Sequence, residues 1–375
     1  MNNNILNKAL VMGIIVLFIG AGVASSSTIL SMSKTQIFSY SGNILYVGGN
    51  GEGNYTDIQD AIDDASDGDT VFVFDDSSPY QLTTFLTINK SINLIGENRD
   101  TTVISGSINL INGSADTAIL ITIAETDWVN ISGFTIKNSN FYGIAVILSD
   151  NINVSGNIFI DNGFISLVFS VCNYSYISNN IFTSTKVDDL LKEGGIYLEY
   201  VSFTTIIGNI FTNCLTGIAL RQFFGDVQNP NSNIIDGNLF DNNMVAMEIR
   251  ADNTIINKNT ILNHTGPTNL IIPALSLKGR KNTVTCNNFI NNIRDAMSVQ
   301  YLFSLQDFLK IGENKNVWDG NYWGEPRSQP KFIRSRLRYE REPPNPAIPI
   351  PWFNFDMNPA QEPYDITTGQ GFGIE

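Results

Sequence analysis

INVSGNIFIDN, residues 152–162, is one copy of a phrase that recurs through the middle of the chain. The other copies are SYISNNIFTST (175–185), TTIIGNIFTNC (204–214), NIIDGNLFDNN (233–243), TIINKNTILNH (254–264) and TVTCNNFINN (283–292). Their central asparagines lie 21 to 29 residues apart: Asn157, Asn180, Asn209, Asn238, Asn259 and Asn287. Repetition at this period predicts a solenoid, in which each coil buries its apolar face against neighbouring coils.

A second apolar strand precedes each copy of the phrase. Its inward positions, two residues apart, are predicted to be Ile144/Val146, Leu167/Phe169, Ile196/Leu198, Ile218/Leu220, Met247/Ile249, Leu275/Leu277 and Met297/Val299. These pairs can stack coil upon coil. The chain is therefore predicted to be all-β, a parallel β-helix of about ten coils and roughly 50 Å in length.

The repeated asparagine is predicted to have two roles. Asparagine tolerates the left-handed backbone conformation of a turn, and its amide can bond the same amide one coil away, about 4.8 Å along the axis. The phenylalanine two residues later, as in Phe159, is predicted to point inward. We therefore expect an amide ladder beside an aromatic stack.

Both ends of the solenoid are predicted to be capped, because an open end exposes apolar core and unpaired strand edges. At the start, TDIQDAIDDAS from Thr56 has the apolar spacing of a short helix, with Thr56 and Gln59 as a capping box. The predicted body, residues 44–323, ends in WDGNYW, whose aromatics we expect to cover the last coil rather than bind sugar.

The tail, residues 324–375, is predicted to be an extended, proline-rich C-terminal cap. We expect its aromatic residues Trp352, Phe353 and Phe355 to fold back and bury the open core. The basic residues that lead into it are Arg327, Lys331, Arg334, Arg336, Arg338 and Arg341.

The N-terminus carries an apolar run, residues 9–24, preceded by Lys8 and followed by three serines. This pattern predicts a signal peptide over residues 1–27, or an N-terminal membrane anchor if it is retained, and then a linker over 28–43. We therefore predict a secreted or cell-surface protein. The sequons that fit an exported glycoprotein are Asn54, Asn89, Asn112, Asn130, Asn153, Asn173 and Asn263.

The net charge of −14 argues against nucleic acid as a partner, because phosphate binding needs a basic face. The N-terminal acidic residues are predicted to be a solvated face rather than a calcium loop: Asp57, Asp60, Asp63, Asp64, Asp67, Asp69, Asp75 and Asp76. Cys172, Cys214 and Cys286 are an odd number without metal-binding spacing, so we predict buried small side chains.

Several segments together carry a family resemblance: the helix, GDTVFV from residue 68, INKSINLIGE from Ile88, the repeated phrase and the closing WDGNYW. With them the chain resembles exported right-handed β-helix proteins of the pectin-lyase-like class. It looks most like the NosD-like branch, often labelled periplasmic copper-binding, and like archaeal cell-surface β-helix proteins. The resemblance implies the fold more specifically than the chemistry, because this fold serves enzymes and non-enzymes.

Neither copper binding nor glycoside hydrolysis is predicted. Copper sites use His, Met and Cys, but the chain has one histidine, His264, and Met244 and Met247 lie on opposite strand faces. The resembling polygalacturonases carry an aspartate pair, a glycine-flanked histidine and an Arg-Ile-Lys segment. Here Asp188-Asp189 lies in an expected loop, and Arg-Ile-Lys is missing. We predict no catalytic, cofactor-binding or metal-binding residue.

The strand alignment does predict a charged column on one outward face. The outward position after each inward pair reads Ile147, Ser170, Glu199, Arg221, Arg250, Lys278 and Gln300, and Tyr197 and Glu248 lie beside it. Stacked like charges need compensation from acidic neighbours or from a bound anion. Two interpretations stay open, a salt-bridge ladder and a surface that binds acidic polysaccharide through Tyr197, Glu199, Arg221, Glu248, Arg250 and Lys278.

The sequence therefore predicts an exported β-helix protein that is structural or binds carbohydrate, with a polysaccharide or cell-surface glycan as its partner. The alternative is a polysaccharide lyase or a related carbohydrate-active enzyme acting on acidic glycans, and calcium would be expected only for the lyase. Membrane contact is predicted only through an uncleaved N-terminal segment. The oligomeric state is left open.

Overall fold

The computed structural model describes residues 42–106, 118–186, 194–221, 232–264, 272–302, 312, 314–339 and 348–366. The predicted signal peptide or anchor, almost all of the linker and the sequon at Asn112 lie outside these residues. The described part contains one helix, α1 (Ile58–Asp64), and 31 strands, numbered here in chain order. No helix in it is long and apolar enough to span a membrane.

The strands form three long sheets. Sheet A contains β1 (Ile44–Val47), β2 (Thr70–Val73), β5 (Asn93–Gly96), β8 (Asn130–Ser132), β11 (Asn153–Ser155), β14 (Tyr176–Ser178), β17 (Thr205–Ile207), β20 (Ile234–Asp236), β23 (Ile255–Asn257), β26 (Thr283–Thr285) and β29 (Val317–Asp319). Sheet B contains β3 (Tyr80–Leu82), β6 (Val103–Gly106), β9 (Thr135–Lys137), β12 (Ile158–Ile160), β15 (Ile181–Thr183), β18 (Ile210–Thr212), β21 (Leu239–Asp241), β24 (Thr260–Leu262) and β27 (Asn288–Ile290). Sheet C contains β4 (Leu86–Ile88), β7 (Ile119–Ala124), β10 (Tyr142–Ile147), β13 (Ile165–Ser170), β16 (Gly194–Glu199), β19 (Thr216–Arg221), β22 (Val245–Arg250), β25 (Leu275–Lys278), β28 (Ala296–Leu302), β30 (Lys331–Tyr339) and β31 (Ile348–Asp356).

The chain runs through sheets A, B and C in turn, so each strand pairs with the equivalent strand of the next coil. One complete coil exists for each of the nine strands of sheet B, with β1 before the first coil and β29 after the last. The pairing is parallel throughout the coils, as between β10 and β13, and is antiparallel between β30 and β31. This architecture confirms the predicted solenoid of about ten coils.

The core is a set of apolar stacks that run along the axis. Phe159, Phe182, Phe211 and Phe240 are fully buried, and their neighbouring rings lie 4.8 to 4.9 Å apart and within 6° of parallel. The inward pairs of sheet C stack as predicted from Ile144 onward to β25. Because successive strands add an apolar side chain to the same stack, one coil provides the packing surface for the next.

The last predicted inward pair, Met297 and Val299, is wrong by one residue. Leu275 pairs with Ala296 and Leu277 with Ser298, so the inward positions of β28 are Ala296, Ser298 and Gln300. The hydroxyl of Ser298 accepts a hydrogen bond of 3.2 Å from the Nδ2 of Asn316. A polar partner inside the last coil therefore fixes a register that the apolar pattern does not predict.

The predicted amide ladder is present and buried. Its members, all 0% exposed, are Asn157, Asn180, Asn209, Asn238, Asn259, Asn287 and Asn321. The Oδ1 of each later member accepts two hydrogen bonds from the preceding one, for example from the backbone N–H (3.0 Å) and Nδ2 (3.0 Å) of Asn180 to Asn209. The Nδ2 of Asn209 also donates to the carbonyls of Ile177 and Ile207, at 2.9 and 3.2 Å. The turn between sheets A and B thus satisfies its buried polar groups by continuing from coil to coil.

The left-handed conformation, however, belongs to the residue before each ladder asparagine. Gly156, Asn179 and Gly208 have φ values of 65°, 55° and 64°, and Lys258 and Cys286 occupy the same position with 51° and 55°. The ladder asparagines themselves have no positive φ. The prediction that asparagine recurs because it tolerates this conformation is therefore wrong, and its recurrence follows from the hydrogen bonds of the amide.

The two other corners carry polar ladders as well. At the turn from sheet C to sheet A, the Oδ1 of Asn233 accepts the backbone N–H of Thr204 at 3.0 Å. At the turn from sheet B to sheet C, the Oδ1 of Asn243 accepts the N–H of Cys214 at 2.8 Å. Each corner thus uses short side chains as acceptors for N–H groups that no strand pairs.

Helix α1 caps the first coil as predicted, with Ile58, Ala61 and Ile62 buried. The predicted capping box is wrong, because the N-cap is Asp57, whose Oδ1 accepts the N–H of Gln59 at 2.7 Å. An aspartate at this position also places negative charge at the positive end of the helix.

The tail extends sheet C as a hairpin. Strand β30 pairs with β28, and β31 forms the sheet edge. Phe353 and Phe355 are 58% and 42% exposed, so the prediction that they bury the core is wrong. Ile333 and Leu337 of β30, each 1% exposed, point inward instead.

The ladder ends at a carboxylate of this hairpin. Asp356 is 0% exposed, and its Oδ2 accepts the backbone N–H (2.9 Å) and the Nδ2 (3.1 Å) of Asn321. The same oxygen accepts the indole N–H of Trp323 at 3.0 Å, and Oδ1 accepts the N–H of Gly320 at 3.1 Å. Trp318 and Trp323 are each 4% exposed, as predicted for aromatics that cover the last coil.

We predict that Asn209→Ala lowers the free energy of unfolding by about 2 to 4 kcal/mol, because buried donors and acceptors on both neighbouring coils lose their partners. Urea denaturation followed by circular dichroism measures this. The control is Asn89→Ala, at an exposed position, which should change stability by less than about 0.5 kcal/mol. Equal effects of the two substitutions would contradict the role of the ladder.

We also predict that Asp356→Asn loosens the last coil, because it aims an amide N–H₂ at groups that are all donors. The expected cost is about 1 to 3 kcal/mol, seen as faster hydrogen exchange at the Asn321 amide. Asp319→Asn, at an exposed carboxylate of the same coil, should leave that exchange rate unchanged. Unaltered exchange in Asp356→Asn would show that the carboxylate is not needed.

Candidate functional site

The six candidate residues all lie on the outward face of sheet C. Glu199 pairs with Arg221, and Arg221 pairs with Arg250. Lys278 continues this column, because the residue before it, Leu277, pairs with Ile249. Tyr197 and Glu248 lie in the neighbouring column, separated by Ala219. The predicted column is thus formed, with its members about 4.8 Å apart along the axis.

Glu248 is the centre of the charged cluster. Its Oε2 lies 2.8 Å from the Nη2 of Arg221, and its Oε1 lies 2.7 Å from both the Nη2 of Arg250 and the Nζ of Lys278. Burial opposes the charged form of Glu248, but the hydrogen bonds from Lys278 and Arg250 and the positive charges of Lys278 and Arg221 together outweigh burial and lower its pKa to about 2. One carboxylate therefore holds three cations on adjacent strands.

Arg221 also connects the cluster to Tyr197. Its guanidinium carbon lies 5.7 Å from the centre of the Tyr197 ring, within the range of a cation–π interaction. The Arg221 side chain is 43% exposed, more than those of Arg250 and Lys278 at 33% and 20%. Burial raises the pKa of Tyr197, so its hydroxyl stays protonated. Arg221 is thus the cation of the cluster that a ligand can reach most easily.

Glu199 differs from Glu248 in its environment. Burial raises its pKa, and the positive charge of Arg221 offsets this only in part. The ion pairs of the described residues do not include Glu199. The two glutamates of the cluster therefore have opposite tendencies to take up a proton.

Gln300 does not continue the column, because Lys278 pairs with Val299. Gln300 is 2% exposed and points inward, as follows from the one-residue shift of β28. Val299 in turn pairs with Arg336 of β30. The arginines of the tail, which the sequence analysis placed in a cap, therefore join the same sheet face.

The residues considered for other chemistry lie apart from this cluster. His264 is 3% exposed, and its Nδ1 lies 2.7 Å from the carbonyl oxygen of Asn243. Cys172 and Cys214 are buried as predicted, but Cys286 is only half-buried. Within the described ranges, no three His, Cys, Asp or Glu side chains are grouped to hold a metal ion. Asp188-Asp189 lies outside those ranges.

The N-terminal acidic stretch is solvated as predicted, with two exceptions. Asp57, Asp60, Asp63, Asp64, Asp67 and Asp76 are exposed. Asp75 is partly exposed, and Asp69 is 5% exposed because its carboxylate accepts the N–H groups of Asn43 and Ser66 at 2.7 and 2.8 Å.

Comparison with known proteins agrees with the architecture. A family model for the right handed beta helix region matches residues 117–289. The fold is similar to that of the polygalacturonase of Erwinia carotovora ssp. carotovora, with 13% identity and a TM-score of 0.51 over 86% of this chain and 99% of that one. The fold is therefore a right-handed parallel β-helix, as predicted.

Two further solved structures are similar at lower TM-scores. The A-module of the mannuronan C-5 epimerase AlgE6 of Azotobacter vinelandii is 15% identical, with a TM-score of 0.48 over 76% of this chain and 84% of that one. PfbA, a surface adhesin of Streptococcus pneumoniae, is 14% identical, with a TM-score of 0.46 over 80% and 95% of the two chains. No curated protein sequence matches the chain.

We predict a pH-dependent contribution of Glu248 to stability. Its folded-state pKa of about 2 is below the ordinary value of 4.5, so its contribution is complete above pH 4.5 and is lost as the pH falls toward 2. Urea denaturation should show wild type more stable than Glu248→Gln by on the order of 2 kcal/mol at pH 7, and by much less near pH 2.5.

The contrasting variant is Glu199→Gln. The raised pKa of Glu199 means that its charged form costs stability above pH 4.5, so this variant should be at least as stable as wild type at pH 7. If Glu248→Gln and Glu199→Gln gave the same pH dependence, the assignment of Glu248 as the shared counter-ion would be wrong.

Proposed function

We propose that this protein binds acidic polysaccharide on the outward face of sheet C. The observation that supports this proposal most directly is that Arg221, Arg250 and Lys278 lie side by side and share one ion-paired carboxylate, Glu248. Three positive charges against the two carboxylates Glu248 and Glu199 leave an excess of positive charge in this cluster. Such a concentration is notable in a chain with 36 acidic and 22 basic residues.

The geometry of the cluster suits a ligand with regularly spaced carboxylate or sulfate groups. Glu248 fixes its three partners in place, so less side-chain freedom is lost when an anion binds. Arginine offers two parallel N–H donors to such a group, and the half-exposed Arg221 has room to do so. A Tyr197 ring beside it provides an apolar surface for the ligand.

Export to the cell surface is part of this proposal and is supported by the apolar run at residues 9–24. If sugars are attached in transit, Asn89 is the favoured sequon because its side chain is exposed. The amide nitrogens of Asn54, Asn153, Asn173 and Asn263 instead donate hydrogen bonds to neighbouring groups.

A second candidate function is that of a polysaccharide lyase on the same face. Glu199 supports it, because a half-buried carboxylate with a raised pKa can accept a proton, and Arg221 beside it could hold the carboxylate of a uronate. In this alternative Glu199 removes the proton next to that carboxylate, and calcium could assist. Calcium has no part in the binding proposal.

Binding should be tested with the full chain on immobilised polygalacturonate, alginate and heparin, with amylose as the neutral control. The double variant Arg221→Gln/Arg250→Gln should lose about tenfold in affinity for the preferred acidic polymer, because it removes two of three cations. The matched control, Arg99→Gln/Lys258→Gln, removes two cations from turns outside sheet C and should change affinity by less than about twofold.

The same incubations distinguish the two candidates, with and without calcium. New unsaturated sugar ends, detected by ultraviolet absorbance and lost in Glu199→Gln, would establish a lyase. Retention without cleavage supports the binding function. If wild type bound none of the acidic polymers, or if the double variant bound as tightly as its control, the proposal for this face would be wrong.

A further inference from the structure

The C-terminal hairpin places a second group of cations on sheet C. Strand β30 pairs in parallel with β28, and its side chains alternate between the two faces. Ile333, Ser335 and Leu337 point into the core, at 1%, 8% and 1% exposure. The alternate residues Arg334, Arg336 and Arg338 are exposed on the outward face, about 6.8 Å apart along the strand. We call these three residues the arginine triad.

The arginine triad differs from the Glu248 cluster because no carboxylate among the described residues forms an ion pair with it. The ion pairs among the described residues include the cations of the Glu248 cluster, Arg280 and Lys331, but none of the three arginines. The neighbouring Arg294 is affected too, since burial and the positive charge of Arg334 lower its pKa. Three adjacent like charges that form no ion pair with another described residue are a site that attracts an anion.

Protection of a sheet edge does not explain these arginines. Charged residues often guard an exposed edge strand, but β30 is paired on both sides, with β28 and β31. The edge belongs to β31, which contains Pro349 and Pro351, and proline lacks the N–H group that a further strand would need. The arginine triad is therefore not needed to protect a sheet edge.

The triad is aligned with the candidate site described above. Arg336 pairs with Val299, and Val299 pairs with Lys278, so Arg336 lies in the column of Arg221 and Arg250. Four strand steps separate Arg221 from Arg336, a distance of about 19 Å along the axis. A linear polyanion that runs along sheet C can therefore contact both groups of cations at once.

Exposed aromatic rings adjoin the triad. Phe353 pairs with Arg334, and Phe332 lies one pleat away on the same face. The ring centre of Phe332 is 5.8 Å from that of Phe353 and 5.7 Å from that of Phe355, and the three side chains are 42% to 58% exposed. Flat apolar rings beside cations suit a ligand with both apolar ring faces and acidic groups, as in a chain of uronic acids.

We propose that Arg334, Arg336 and Arg338 are the main anchoring site for an acidic polysaccharide whose chain runs from the C-terminal hairpin toward Arg221. This inference rests on the proposed acidic-glycan function and adds that a long chain is the ligand. Two groups of cations that engage one chain give an affinity that rises with chain length until both are occupied.

The test measures binding of the full chain to polygalacturonate, alginate and heparin, to a dimer and an octamer of galacturonate, and to phosphatidylglycerol vesicles. The triple variant Arg334→Gln/Arg336→Gln/Arg338→Gln should lose at least about tenfold in affinity for the preferred polymer. The corresponding triple Lys variant should stay within about threefold of wild type, because it keeps the charge. The control Arg99→Gln/Lys258→Gln/Lys281→Gln, with three cations removed from turns, should stay within about twofold.

Chain length provides a second measurement. Wild type should bind the galacturonate octamer at least about tenfold more tightly than the dimer, and the triple Gln variant should lose most of this difference. Thermal melting and circular dichroism of each variant show whether the fold is intact. An intact triple Gln variant that keeps wild-type affinity and length dependence would overturn the inference.

The outcomes separate this inference from the proposed function. If the triple Gln variant binds like its control while Arg221→Gln/Arg250→Gln is impaired, the anchoring role is wrong and the binding function stands. If wild type binds none of the three polymers, both are wrong. If the triple Gln variant loses only its binding to phosphatidylglycerol vesicles and keeps its polymer binding, the triad serves a lipid surface and the inference is overturned.

Discussion

The rest of the structure depends on the buried hydrogen bonds of one amide ladder. Each coil turns sharply from sheet A to sheet B, which leaves backbone N–H and C=O groups without strand partners in a dry environment. The side chain of Asn209 satisfies groups on its own coil and on both neighbouring coils. Because the same bonds recur from coil to coil between Asn157 and Asn321, the ladder aligns the coils of this stretch, and the phenylalanine stack follows from that alignment.

The sequence predicts this architecture well because the same physical requirement returns in every coil. The asparagine positions, the inward phenylalanines and the outward column at Arg221 all follow from one alignment of equal repeats. The prediction fails where repetition ends. In β28 the inward residues Ser298 and Gln300 are polar, so an apolar pattern selects the wrong face. The left-handed residue before each asparagine varies from Gly156 to Lys258, so its identity gives no consistent signal.

The candidate site is predictable only in part for the same reason. Repetition places Arg221, Arg250 and Lys278 on one face, but only side-chain geometry shows that Glu248 is shared by all three. The tail carries a clear strand signal, with arginine at every second position from Arg334 to Arg338. Its prolines indicated an extended cap, and nothing in the sequence says that this strand pairs with sheet C. Long-range pairing of a non-repeating segment has no local signature.

The carboxylate of Asp356 ends the asparagine ladder of the solenoid. An asparagine offers an acceptor to the coil before it and a donor to the coil after it, so a column of asparagines can continue without limit. A carboxylate only accepts, and it therefore completes the column without requiring another member. Coils could thus be duplicated or deleted in the interior during evolution while the two ends stay unchanged. The length of the solenoid can therefore change by whole coils. The C-terminal hairpin has to be kept in every such change, because it supplies the carboxylate that ends the column.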